Sequence, residues 1–150
     1  MKVKQIMSKK VITVKSSDSL EKVVKILFKN QISGLLVVDG NKKLVGVISE
    51  KDVYKMMYPT YQEFQENPEM FLDHEKMEER VEQIRSIKAE QFMKKDLVIL
   101  SPDDPVMKAG SIMLTKRVNR LPVITKGKIV GIVSRRDIYQ NIFKQKLGLK

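Results

Sequence analysis

Gly46-Val47-Ile48-Ser49-Glu50-Lys51-Asp52 returns as Gly131-Ile132-Val133-Ser134-Arg135-Arg136-Asp137. The spacing Gly-x-x-Ser-x-x-Asp is kept, and each copy is followed by an apolar residue and a tyrosine: Val53-Tyr54 and Ile138-Tyr139. Working outward, residues 5–38 align with 91–124 at a shift of 86, and residues 44–54 with 129–139 at a shift of 85. The one missing residue falls in a turn, where Asp39-Gly40-Asn41-Lys42-Lys43 becomes Thr125-Lys126-Gly127-Lys128. Of the 45 aligned pairs 13 are identical, and about half of the others exchange one apolar residue for another. A repeat is the first thing to look for in a chain, and two copies imply a pseudo-symmetric pair rather than a solenoid array. Each copy is about 50 residues, a size at which folding alone is marginal, so the halves are expected to pack on each other.

The order of elements is the same in both copies. A β-rich run, Val11–Val14 or Leu97–Leu100, comes first. A helix follows, with Asp18 as cap and Glu21 as its capping-box partner, and with Asp104 before Pro105 in the second copy. Leu20, Val23, Val24, Leu27 and Phe28 form an apolar stripe, repeated by Val106, Ala109, Gly110, Met113 and Leu114. Next come a buried strand, Leu35–Val38 or Leu121–Ile124, a glycine turn, and a second apolar strand, 44–48 or 129–133. Ser49 and Ser134 then open a second helix. A glycine within a strand, as at 46 and 131, marks a close backbone or ligand approach. The pattern is strand, helix, strand, strand, helix, twice over, an α+β (α/β-like) architecture of two repeats packed through their sheets. The expected boundaries are repeat 1 over 1–57, a connector over 58–90 and repeat 2 over 91–150.

The connector begins where Tyr58-Pro59-Thr60 breaks a helix. Asn67-Pro68-Glu69 is placed to start a short helical turn. Met77, Val81 and Ile84 recur at helical spacing among Glu75, Glu78, Glu79 and Glu82, so one amphipathic acidic helix is expected from Asp73 to about Arg85. It either covers its own core or serves a dimer or partner interface.

The chain has 29 Lys and Arg against 18 Asp and Glu. Residues 1–54 carry +6, residues 91–150 carry +9, and residues 55–90 carry −4. Basic repeats suit an anionic partner, a nucleotide or a nucleic acid; they equally describe solvated lysines. No apolar run approaches the ~20 residues of a membrane span, and the N-terminus lacks a secretory apolar core. With no cysteine there is neither disulfide nor thiolate chemistry, which fits a cytoplasmic protein. His74 is the only histidine and sits in an acidic stretch as a surface residue; no metal-ligand spacing surrounds it. No catalytic triad and no phosphate-cradling glycine loop is present. Asp103-Asp104 reads as a helix start, and the nine methionines read as packing. The sequence holds no catalytic machinery.

Two correctly placed copies of Gly-h-x-Ser-x-x-Asp (h, apolar) on one layout resemble a tandem cystathionine-β-synthase (CBS) domain pair, or Bateman module. Ile32-Ser33-Gly34-Leu35 and Arg120-Leu121-Pro122-Val123 resemble the family's approach to its second strand, and Met7 and Met93 its methionine before the first. The resemblance implies a regulatory module that binds AMP, ADP, ATP or S-adenosylmethionine in clefts shared by the repeats, with no required cofactor. It implies one cleft from Thr13, Ile32, Ser33 and Gly34 with Ile132, Ser134, Arg136 and Asp137. The other would join Ile99, Val118, Asn119 and Arg120 to Val47, Ser49, Lys51 and Asp52. There Ile99 departs from the threonine at position 13. It also implies a homodimer built through helices, for which Val53, Met56, Met57, Ile138 and Ile142 are candidates. The regulated protein partner is unnamed, and with no effector domain in these residues it is expected to be reached in trans.

The residues themselves support such chemistry. An ionised carboxylate accepts from both hydroxyls of a sugar diol, and such charge-assisted bonds are strong. A serine at a helix start lies beside unpaired N–H groups, a seat for an anion. Lys51, Arg135 and Arg136 would offset phosphate charge. Ser-x-x-Asp is also a capping-box pattern, and capping and binding are compatible roles. Arg120 is a phosphate contact or a surface ion pair. Rival readings are a nucleic-acid-binding module, although no helix-turn-helix, zinc finger or aromatic RNA-binding motif is present, and a scaffold with vestigial sites.

Overall fold

The computed structural model describes residues 1–150, which fall into two units: Thr13–Asp96, and Met1–Ile12 with Leu97–Lys150. The first unit holds β1 (Thr13–Lys15), α1 (Leu20–Asn30), β2 (Gly34–Val38), β3 (Leu44–Ser49) and α2 (Glu50–Met56). Its sheet runs β1-β2-β3, with β1 parallel to β2 and β2 antiparallel to β3. A parallel pair needs a crossover, which α1 supplies. The second unit holds α7 (Val106–Lys116), β4 (Arg120–Thr125), β5 (Lys128–Ser134) and α8 (Arg135–Leu147), after a 3-10 turn at Val3–Gln5. The fold is α+β, and the order of elements repeats as the sequence implied except that the second unit has no strand ahead of α7.

Each unit has its own apolar cluster. Val14, Val23, Leu27, Leu35, Val37, Ile48 and Ala89 form one. Val3, Ile6, Leu100, Val106, Ala109, Met113, Leu121, Val123, Val133 and Ile138 form the other. Val3 and Ile6 therefore pack with the second repeat and Ala89 with the first, so each unit borrows the segment that precedes the other repeat. The borrowed segments dock alike. Ser8 and Ile132 exchange both main-chain bonds (2.9 and 3.0 Å), as do Lys94 and Val47 (2.9 and 3.0 Å).

Several local expectations change. The run Leu97–Leu100 is not a strand; only Leu100 bridges, to Val123. Leu100 N–H donates to Pro122 O and Ile124 N–H to Leu100 O, both at 2.9 Å. Pro122 has no N–H for the next rung, whereas Leu36 fills its place in β2, so the ladder ends there. In the first repeat β1 begins at Thr13, two residues later than the apolar run. Asp18 is not the cap of α1: Ser19 accepts from Lys22 N–H, and Asp18 instead accepts from Lys15 N–H at 2.8 Å. Asp104 plays that same turn role with Ser101 N–H at 2.8 Å, leaving Pro105 at the N-cap position of α7. Glu21 is drawn to Arg85 (2.8 Å) rather than to a capping box. Phe28 and Leu114, expected in the apolar stripes, are 77% and 81% exposed.

The connector forms α3 (Tyr61–Glu66), a 3-10 turn at Pro68–Phe71, α4 (His74–Met77), α5 (Arg80–Ile84) and α6 (Ala89–Phe92). The single helix expected from Asp73 is broken at Glu78-Glu79, where hydrogen bonds tighten to i→i−3. Glutamates three and four residues apart at 75, 78, 79 and 82 repel along one face there. Arg80 anchors the connector, donating to Met56 O (3.1 Å) and gripping both oxygens of Glu63. That guanidinium outweighs desolvation and holds the Glu63 carboxyl below its ordinary value. Ile84 is buried, and Ile87 O and Arg85 O accept from Leu20 and Glu21 N–H, serving the open first turn of α1. His74 is exposed. No helix is long and apolar enough to cross a membrane.

Candidate ligand site at the duplicated motif

Each motif sits where a strand runs straight into a helix. Ser49 and Ser134 end β3 and β5 with extended backbone and N-cap α2 and α8. At the second copy, Ser134 N–H and hydroxyl donate to Asp137 Oδ2 at 2.8 and 2.7 Å, and Asp137 N–H donates back to Ser134 Oγ at 3.1 Å. At the first copy, Ser49 N–H and hydroxyl donate to Asp52 Oδ2 at 2.8 and 3.0 Å, and Asp52 N–H to Ser49 Oγ at 3.4 Å. The capping box is present in both, and in both it consumes only one carboxylate oxygen.

Oδ1 is where the copies part. In Asp137 it takes part in no hydrogen bond or ion pair, and the residue is half-buried. In Asp52, whose residue exposure is 8%, Oδ1 faces Lys94 Nζ at 3.8 Å. Lys94 sits where the other unit has Ser8. Lys94 was not among the expected site residues. Its signal in the sequence was the replacement of a serine by a charge one residue after the repeated methionine.

Within each unit the segment before the second strand lies beside that unit's own motif. Arg120 pairs with Ser134 in the ladder, and Arg135 N–H donates to Asn119 O at 2.9 Å. Gly34 pairs with Ser49, and Glu50 N–H donates to Ser33 O at 2.9 Å. Asn119, Arg120, Ser134, Arg136 and Asp137 thus gather in one unit, and Ser33, Gly34, Ser49, Lys51 and Asp52 in the other. Lys51 and Arg136 are exposed, Arg120 half-buried. Val47 and Ile132, half-buried, are held by the bridges from Lys94 and Ser8. Ile32 and Val118 pack against their own clusters. Thr13 is exposed at the start of β1, and Ile99 is 50% exposed on the segment that forms no strand.

The motif glycines answer to packing. A Cβ on Gly131 would stand 2.6 Å from Met7 Sδ, and one on Gly46 would run into Met93 Sδ. Only glycine lets the borrowed segment's methionine lie this close to the strand. No group of three or more His, Cys, Asp or Glu is arranged to hold a metal ion.

The CBS domain family model matches twice, over residues 3–58 and 89–144. A CBS domain-containing protein of Dictyostelium discoideum is 33% identical over 143 residues, covering 95% of this chain and 91% of that protein. Among solved structures, the CBS domain pair of protein MJ0100, in complex with 5′-methylthioadenosine and S-adenosyl-L-methionine, superposes with a TM-score of 0.73. It is 26% identical and covers 97% of this chain and 98% of its own. CBSX2 of Arabidopsis thaliana, solved with AMP, gives a TM-score of 0.73 at 21% identity, covering 97% and 98%, a likeness of fold.

Proposed function

Because this chain belongs to the CBS domain family and carries the domain twice, we propose that it is a non-catalytic regulatory module for adenosine-containing ligands: AMP, ADP, ATP or S-adenosylmethionine. The observation that carries the reading is the free Oδ1 of Asp137, in the first turn of a helix that opens with Arg135 and Arg136. Oδ2 is fixed by Ser134, so the carboxylate is oriented before any ligand arrives and its second oxygen is ready for a ribose hydroxyl. The first-turn N–H groups of α8 and the exposed Arg136 suit a phosphate or the carboxylate of a methionyl group. A pair 26% identical that holds two adenosine-bearing compounds supports the ligand class.

Signalling follows if the ligand binds one arrangement of the module more tightly than another. The reading includes a homodimer and a protein partner that senses that change. Titration calorimetry of the folded protein with AMP, ATP and S-adenosylmethionine tests it. Heat with at least one of them is expected, lost in Asp137→Ala. No heat with any overturns the reading.

A further inference from the structure

The two motifs draw their charges from different places. In the second unit the cations stand on the motif's own strand and helix. Arg120 pairs with Ser134 in the ladder, and Arg135 and Arg136 open α8. The borrowed segment there meets the motif strand with an uncharged residue, Ser8. In the Thr13–Asp96 unit the equivalent positions hold Gly34, Glu50 and Lys51. One guanidinium is absent, and a carboxylate stands in place of another. Here the borrowed segment carries the cation: Lys94 Nζ lies 3.8 Å from Asp52 Oδ1. Positive charge has moved from the helix to the segment laid over the motif.

The backbone fixes where Lys94 sits. Lys94 and Val47 exchange both main-chain bonds, at 2.9 and 3.0 Å. Its side chain is 45% exposed, and its one ion pair is with Asp52. Asp52 is buried, and its Oδ2 already accepts from the Ser49 N–H and hydroxyl. The one oxygen left to a ligand is therefore the one that Lys94 faces. A separation of 3.8 Å is too long for a hydrogen bond, and the flexible four-carbon stem lets the ammonium swing aside.

We propose that Lys94 is the specificity-determining residue of the Asp52 motif, selecting adenosine ligands that carry a 5′-phosphate over those that carry none. The inference rests on the ligand reading above and names the member of the class that this motif prefers. An uncharged ligand displaces the ammonium from Oδ1 and leaves it unpaired. A nucleotide brings a phosphate on the same ribose ring whose hydroxyls meet the carboxylate, and the displaced ammonium pairs with it. The sulfonium of S-adenosylmethionine, at that same ring position, is repelled. Glu50 opposes an anion at the start of α2, so Lys94 supplies the compensation that Arg135 supplies in the other unit.

Asp137→Ala protein, in which the Asp52 motif alone remains, tests this by ligand-detected NMR at concentrations well above those that fill the Asp137 motif. The probes are AMP and 5′-methylthioadenosine, which share adenosine and differ in charge. In that background Lys94→Met, which keeps the stem and removes the charge, should weaken AMP about fivefold and tighten 5′-methylthioadenosine about fivefold. The ratio of the two affinities should thus change about 25-fold, the product of those two effects. Lys94→Arg should keep the original preference. A residue that acted only by shape would move both ligands in one direction. That result, or an unchanged ratio, overturns the proposal and leaves the ligand reading standing, because the unaltered protein still binds at Asp137. Failure of the unaltered protein to bind any adenosine compound overturns both.

Discussion

The two Ser-x-x-Asp turns share a backbone, a capping box and a glycine under a methionine, yet they differ in what the second carboxylate oxygen meets. Asp137 Oδ1 is open, and Asp52 Oδ1 lies 3.8 Å from Lys94 Nζ. Duplication kept the scaffold of the site and let one borrowed residue, Lys94 against Ser8, change its electrostatics. Local geometry shared by both copies reports on folding.

The largest effect belongs to Asp137. Asp137→Ala removes a pre-oriented carboxylate worth about 1.5–3 kcal/mol for each charged hydrogen bond, so ligand affinity should fall about a hundredfold by calorimetry. Asp52→Ala should leave the same isotherm nearly unchanged. If both substitutions cost equally, the contrast between the copies is broken. Each also loses a cap worth about 1 kcal/mol, which thermal unfolding reports separately. Next in size is packing. Gly46→Ala and Gly131→Ala press a methyl group onto Met93 and Met7 and should each cost about 1–3 kcal/mol of stability. Met93→Ala should relieve part of the first cost only and Met7→Ala part of the second only, since Met93 Cβ and Ser8 O, each 3.1 Å from the added methyl group, remain. Denaturant unfolding checks both pairs.

Much of this was legible in the sequence. The repeat, the order of elements and the serine caps of α2 and α8 follow from spacing alone, because periodicity and capping are local. The motif glycines were read as close approaches, and the structure identifies what approaches. Four things were not legible. Leu97–Leu100 has strand composition, but Pro122, distant in sequence, withholds the hydrogen bond that would extend the ladder. Asp18 and Asp104 look like caps, yet each turns back to an amide three residues earlier. The stripes through Phe28 and Leu114 are wider than the face each helix buries, and the surplus stays exposed. Lys94 was missed because its role depends on the exchanged segment placing it over the other repeat's motif.

Lys94 gives a smaller effect that sharpens the comparison. Lys94→Ser copies the residue at the matching place in the other unit and frees Asp52 Oδ1. An ion pair this long, its ammonium open to solvent though its carboxylate is buried, is worth about 1 kcal/mol, so binding at that motif should tighten about fivefold for an uncharged adenosine moiety such as 5′-methylthioadenosine. The reciprocal Ser8→Lys should weaken the Asp137 motif by a similar factor. No change in either variant would mean that the cation is irrelevant to the difference between the motifs.

The smallest effect concerns a feature that the two units share, and it serves as the control. Asp18 and Asp104 both sit below the ordinary carboxyl value. For Asp18 desolvation opposes the shift, but the Lys15 amide and the Lys22 ammonium outweigh it. For Asp104 the Ser101 amide leads, followed by Lys108. A carboxyl more acidic in the folded state stabilises fully above its unfolded value near pH 4, and loses that contribution as pH falls through the lowered folded value. Asp18→Asn and Asp104→Asn should therefore lower the melting temperature slightly at neutral pH and converge with wild type in acid. The two variants should do so alike, because the turn they stabilise is the same in both units. A variant that stayed equally destabilised in acid would show that the aspartate acts by shape rather than by charge. A large difference between the two would mean that the repeats diverge in their scaffold as well as at Lys94.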